Sequence, residues 1–190
     1  MATVLEPIAP ASGVDESLYE VVDGQYVEMM PMGAYSGEIA SILSHFLGPF
    51  AMQHGLGKVV VEVLFLIDPA RNRQRRPDLA FVSARRWPSR RPAPDDAAWE
   101  VVPDLCVEVV SPTDRAEELL GKVREYFEAG AEAVWVVYPK ERVVHILEGF
   151  DRIRVLRRAD TIDGGALLPG FRLPLSSLFE DEEPPAPAQA

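Results

Sequence analysis

The chain has 190 residues, 47% of them hydrophobic and 26% charged, the balance of an ordinary globular protein with enough apolar side chains for a sizeable core. Its 30 acidic and 19 basic residues give a formal net charge of −11, which opposes a non-specific coat on nucleic acid because phosphate backbones attract basic surfaces. No apolar run approaches the roughly 18–20 residues of a membrane span, the start MATVLEPIAPASGVDES lacks the basic and apolar stretches of a signal peptide, and one cysteine, Cys106, permits no internal disulfide, so a cytoplasmic protein is expected.

Residues 1–15, rich in Pro, Ala and Ser, are expected to form a flexible arm, and residues 180–190, EDEEPPAPAQA, a solvated tail with nothing to bury. One folded unit is expected over 16–179. It opens with YEVVDGQYVEM, two β-rich runs flanking Asp23-Gly24, a dipeptide suited to the positive φ angles of a tight hairpin turn. GEIASILSHFLGPFAMQHG follows, with Ile39, Leu43, Phe46 and Leu47 at helical spacing and Pro49 placed to kink or end the helix. KVVVEVLFLID reads as one strand and DLAFV, from Asp78, as another. The stretch 83–103, rich in Arg, Pro, Trp and Asp, reads as a long surface loop.

DLCVEVV, 104–110, is a nearly continuous apolar run, as expected of a strand buried on both faces. RAEELLGKVREYFEAG reads as a helix with Leu119, Leu120, Val123 and Phe127 as its apolar stripe, Thr113 or Asp114 as its cap and Gly130 as its stop. AVWVVYP and RVVHILE read as two strands joined at Pro139-Lys140-Glu141. The order implies a mixed sheet with helices packed on it, an α/β or α+β fold.

Two acids stand out against this frame. Glu108 sits in the middle of an apolar strand, where an isolated carboxylate is costly and needs a hydrogen-bond network, a cation or a metal. Asp78 heads its strand in RRPDLAFV, where Pro77 sets an extended entry. Two carboxylates at the ends of neighbouring strands can hold one hard cation through oxygen, with water completing the shell. Lys122 lies on the helix after Glu108, with Tyr126 at i+4 and Glu118 at i−4 on the same face. A strand–loop–helix unit can fold that face over the strand end, bringing Lys122 to a water or a phosphate near the cation. Glu38, near the start of the first helix, is a candidate outer carboxylate.

YEVVDGQYVEM, RRPDLAFV, DLCVEVVSPTD, the following Lys…Tyr helix and VWVVYP together resemble the Uma-two group of bacterial endonuclease-like proteins, itself similar in fold to the PD-(D/E)XK restriction-endonuclease superfamily. The resemblance runs from about Tyr19 to Phe179. It implies a restriction-endonuclease-like mixed sheet flanked by helices, with an N-terminal hairpin. It further implies Asp78 as the acid of the Pro-Asp motif, Glu108 as the second carboxylate, and Mg²⁺ or Mn²⁺ as the cofactor. The superfamily's lysine two residues beyond the glutamate is Val110 here, so the resemblance points to Lys122 instead; Ser36 stands where the group often has a histidine. The implied activity is metal-dependent hydrolysis of nucleic acid, most naturally DNA, and cutting two strands would favour a homodimer.

Each of these residues also has a plainer reading. Glu108 can be satisfied by backbone amides or an arginine, Asp78 can cap a turn, and Lys122 can form an exposed pair with Glu118 worth about 0.3–0.5 kcal/mol. Tyr126 reads as half-buried packing, Glu38 as an acid favoured by the helix dipole, and Glu20 and Glu28 as surface residues. Glu62 is a reserve ligand. His45, His54 and His145 lack metal-ligand spacing, and Cys106 reads as a small buried apolar residue. Eight arginines between Arg71 and Arg91 form either a basic rim that attracts phosphate or a loop paired with acids elsewhere. The function of another class is a catalytically silent binding or scaffold protein retaining the nuclease fold.

Overall fold

The computed structural model describes residues 19–95 and 98–179. The expected arm over 1–15 and tail over 180–190 lie outside the described residues. The hairpin forms as the dipeptide predicts: β1 (Tyr19–Val22) pairs antiparallel with β2 (Gln25–Glu28). Asp23 (φ 50°) and Gly24 (φ 79°) supply the two left-handed residues of its turn.

Helix α1 (Ala34–Gln53) starts ahead of the predicted Gly37 and runs through Pro49. Proline removes one donor from the helical ladder, and the burial of Ile39, Leu43, Leu47 and Ala51 along one line holds the helix together across that gap. Phe46 falls on the flank of this line and is 39% exposed, contrary to its predicted place in the stripe.

The predicted single strand over 58–68 is two strands. β3 (Gly57–Val61) ends at Glu62, whose φ of 50° breaks the extended backbone, and β4 (Phe65–Asp68) resumes in a different sheet. β5 (Arg73–Arg75) and β6 (Leu79–Ser83) follow. The segment 83–103 is irregular as expected, but Trp99 within it is buried, its ring against Phe65 and Trp87 at centroid distances of 5.6 and 5.2 Å.

β7 (Leu105–Val109), α2 (Ala116–Ala129) and β8 (Ala133–Tyr138) form a parallel crossover unit. α2 ends at Gly130 (φ 103°) as predicted. Its start differs: Arg115 stands at the cap without a side-chain bond, and Asp114 instead accepts from the Ser111 amide at 2.7 Å. Its buried side differs as well: Val123 and Tyr126 are buried, and Leu120 is 60% exposed. The helix is rotated to aim residues 122 and 126 at β7, which turns Leu120 outward.

β9 (Val143–Leu147), β10 (Ile153–Arg157), β11 (Thr161–Asp163) and β12 (Arg172–Pro174) complete the chain. The six-stranded sheet has the order β10-β9-β8-β7-β6-β3, with β7 and β8 parallel and the other neighbours antiparallel. A second sheet has the order β2-β1-β5-β4. α1 and the β11–β12 region cover one face of the large sheet, on Leu79, Phe81, Leu105, Val107 and Val109. α2 and β4 cover the other, on Ala80, Val82, Cys106, Val134 and Val136.

β7 is therefore buried on both faces, and burial of each such aliphatic side chain stabilises the fold by roughly 1.5–3 kcal/mol. This is the mixed α+β architecture expected. Among the described residues, no helix is long and apolar enough to cross a membrane.

Candidate active site

The register of β6 and β7 pairs Leu79 with Val107; continued by one residue, it sets Asp78 opposite Glu108. The two-residue period of a strand puts Asp78 on the face of Ala80 and Glu108 on the face of Cys106, both under α2. The Val109 amide donates to Asp78 Oδ2 at 2.5 Å.

Glu108 is buried. Tyr126, fully buried on α2, donates its hydroxyl to Glu108 Oε1 at 2.6 Å. Lys122, one turn earlier, points its Nζ between two carboxylates, 3.2 Å from Glu20 Oε1 and 3.7 Å from Glu108 Oε2. The alternative Glu118–Lys122 pair does not form; Glu118 pairs with Arg115 at 3.7 Å.

The electrostatics follow from this crowding. Burial and then the facing Glu108 push the Asp78 carboxyl up to about 8, against the Val109 hydrogen bond and Lys122, which favour its charged form. Burial also pushes Glu108 up, with Lys122 and the Tyr126 hydroxyl opposing. Burial alone would lower Lys122; Glu108 and Glu20 outweigh it and hold the ammonium above its ordinary value. Tyr126 is pushed well up by burial and then by Glu108, so it remains a donor.

Glu20 is the residue that sequence reasoning misplaced. Expected at the surface, it is 2% exposed and central. Its Oε2 accepts from Arg75 Nη1 at 2.6 Å, and its Oε1 accepts from the Arg76 amide at 3.0 Å. Arg75 also donates from Nε to Glu125 Oε2 on α2 at 2.6 Å. The signal was present in Tyr19-Glu20-Val21-Val22: an acid inside an apolar strand, the same pattern that singles out Glu108.

The other candidates lie apart. Glu38 is exposed, beyond the first turn of α1, and makes no ion pair with the site among the described residues. Glu62 is exposed at the break between β3 and β4. Ser36 reaches the far side of the β7 end, its hydroxyl donating to the Val110 carbonyl at 3.3 Å. Cys106 is buried, and burial followed by Glu108 pushes its thiol up, which disfavours the thiolate. Among the described residues, no three or more His, Cys, Asp or Glu side chains gather as cation ligands.

The arginine segment proves to be largely self-paired. Arg71 pairs with Asp68, Arg73 with Asp23 and Glu125, and Arg75 with Glu20 and Glu125. Arg85 and Arg86 pair with the buried Asp104 and with Glu132. Arg76 donates to the Glu62 carbonyl at 2.8 Å, and Arg91 stacks on the Trp87 ring at 3.9 Å. The reading of these residues as partners of nearby acids accounts for most of them.

No curated protein matches the chain. Among solved structures it is similar to a putative nuclease of the DUF820 group from Anabaena variabilis, with 16% identity and a TM-score of 0.72 over 90% of this chain and 93% of that one. At that identity the likeness shows a shared fold. The Uma2 family, described as putative restriction endonuclease, matches residues 14–176. Its span takes in the hairpin, both helices and every strand just described, and the chain belongs to that family.

Proposed function

We propose that the protein is a metal-dependent nuclease that hydrolyses phosphodiester bonds, with Asp78 and Glu108 as ligands of one divalent cation and Lys122 as the assisting group. The observation that supports this most is the facing pair of carboxylates under α2: each is pushed up by burial, and Glu108 adds to the rise of Asp78, a repulsion that a cation would relieve. Two carboxylates form a hard, all-oxygen donor set, which fits Mg²⁺ or Mn²⁺ with water and substrate filling the remaining positions. Such a cation, when bound, supplies Lewis acidity at the phosphate and lowers the pKa of a coordinated water.

The chain's own groups have separable tasks. Lys122, held above its ordinary pKa, stays cationic at neutral pH; it serves as a donor and a counter-charge for the phosphate oxygens, and is unsuited to be a general base. Tyr126 fixes Glu108 Oε1, which leaves Oε2 directed toward Lys122. Membership of the family supports nucleic acid as substrate, and a homodimer would supply a second site for a second strand.

A catalytically silent binding protein is the second reading. It is favoured by the arginine segment, where Arg71, Arg73, Arg75, Arg85 and Arg86 are engaged by acids of the same chain, leaving less basic surface for a polynucleotide. The deciding experiment is incubation of the purified chain with plasmid, linear DNA and RNA in Mg²⁺ or Mn²⁺, beside Glu108→Ala and an EDTA control. Cleavage by the parent, lost in the variant and in EDTA, is expected. Unchanged cleavage by Glu108→Ala would sink the mechanism, and a folded parent that cuts no substrate favours the silent reading.

A further inference from the structure

We propose that Glu20 is a positioning residue: it holds the Lys122 ammonium off Glu108, so that Oε2 of Glu108 stays open beside Asp78. This rests on the two-carboxylate reading above. It deepens that reading by assigning a task to a buried acid that the mechanism does not otherwise use.

The distances carry the inference. Glu108 Oε1 is taken by the Tyr126 hydroxyl at 2.6 Å, so Oε2 is the oxygen left for a cation. Lys122 Nζ stands 3.7 Å from that oxygen, beyond a direct hydrogen bond, and 3.2 Å from Glu20 Oε1, nearer the range of one. The ammonium is shared unequally, with Glu20 taking the closer contact. Without the Glu20 charge, Glu108 would be the nearest carboxylate left to Lys122, ahead of Asp78, whose charged form Lys122 also favours. The ammonium would then close to the roughly 2.7–2.9 Å of a charge-assisted bond and cover the oxygen a cation requires.

Glu20 itself is a poor candidate for the cation. Oε2 accepts from Arg75 at 2.6 Å, and Oε1 accepts from the Arg76 amide at 3.0 Å while facing Lys122. Both oxygens are committed to positive or donor groups, and binding a metal would break two ion pairs at a site that is 2% exposed. Arg75 gives the arrangement its stiffness. It grips Glu20 on β1 with one nitrogen and Glu125 on α2 with another, both at 2.6 Å, so the carboxylate that anchors Lys122 is fixed relative to the helix that carries Lys122.

The test is calorimetric titration of Mn²⁺ into the full chain and into Glu20→Gln, Lys122→Met and the double variant, with circular dichroism of each. Glu20→Gln keeps the shape and an acceptor for Arg75 and removes the charge. It is expected to bind Mn²⁺ roughly 10-fold or more weakly than the parent, the scale of a lost supporting contact at a metal site. Adding Lys122→Met should abolish that loss, so that the double variant binds like Lys122→Met alone; such coupling marks two residues acting through one interaction.

Equal binding by Glu20→Gln and the parent would overturn the proposal. So would a loss that persists undiminished in the double variant, because a ligand or a purely structural residue would not be rescued by removing Lys122. A folded parent that binds no Mn²⁺, with or without a DNA duplex, would instead remove the two-carboxylate reading and this inference with it. Should Glu20→Gln not fold, Glu20→Asp serves: the charge stays for Arg75 but draws back from Lys122, and the same weakening and the same rescue are expected.

Discussion

Replacing Asp78 with Asn should make the metal-free protein more stable in alkaline buffer. The Asp78 carboxyl is pushed up to about 8 from an ordinary 3.8, by burial first and Glu108 second. Between those two values the unfolded chain has released its proton and the folded chain retains it. The folded state then binds more protons than the unfolded one, so this group's contribution to stability falls as pH rises from about 4 to about 8, and levels off above. At about 1.36 kcal/mol per pH unit the ceiling on the penalty is roughly 5–6 kcal/mol. Asp78 keeps some exposure to solvent, whose screening reduces this ceiling, so the expected gain is on the order of 2–3 kcal/mol.

Asn keeps an oxygen for the Val109 amide, now at 2.5 Å from Oδ2, and relieves Glu108 of a facing charge. Urea unfolding of parent and Asp78→Asn in EDTA at pH 5, 7 and 9 reads the effect directly. The difference should be small at pH 5 and grow to a plateau near pH 9. An Asn variant that is less stable than the parent at pH 9, or a difference that does not change with pH, would refute the account of this carboxyl as a buried group facing its like.

Two further outcomes follow from the same geometry. Tyr126→Phe leaves Glu108 Oε1 buried without its 2.6 Å donor, which should cost about 1–3 kcal/mol in urea unfolding and weaken Mn²⁺ binding by pushing the Glu108 carboxyl further up; unchanged stability would show that the hydroxyl is not the partner that matters. Glu62→Gly removes an exposed side chain from a residue at φ 50°, where a Cβ costs roughly 1–2 kcal/mol, so the variant should match or exceed the parent in stability and bind Mn²⁺ unchanged; loss of binding would restore Glu62 as a ligand.

Much of this architecture is legible in the sequence because local chemistry and tertiary demand agree. Asp23-Gly24 sets the turn, Gly130 ends α2, and the apolar run around Glu108 forms the strand buried on both faces. The misreadings occur where a long-range partner decides. KVVVEVLFLID is uniformly β-prone, and nothing local distinguishes a strand that stays in one sheet from one that turns at Glu62 to enter another. Leu120 reads as core by helical spacing, but α2 is rotated to bury Tyr126 against Glu108, which leaves Leu120 in solvent. Asp78, Glu108 and Lys122 are brought together at one end of the sheet, as the spacing suggested. Glu20 was less legible, since the hairpin's position over that end depends on the pairing of β1 with β5, set by residues more than fifty positions away.

The ion pairs around the site form a line of alternating sign. It runs from Asp23 in the hairpin turn to Arg73, Glu125, Arg75, Glu20, Lys122 and Glu108. Four of these residues lie on the small sheet or its turn and three on α2 and β7, so the line stitches the hairpin to the crossover unit. Well-packed apolar side chains would stabilise such a junction at least as well, because burying charges costs several kcal/mol per ion before their attraction offsets it. What apolar packing would not do is hold an ammonium at a defined distance from a carboxylate. Arg75 fixes Glu20, and Glu20 fixes Lys122; the placement of the Lys122 ammonium is thereby tied to the position of the hairpin. Movement of the hairpin would therefore be felt at Glu108 as a change in the distance to its ammonium partner, and the two sheets act as one support for the same few atoms.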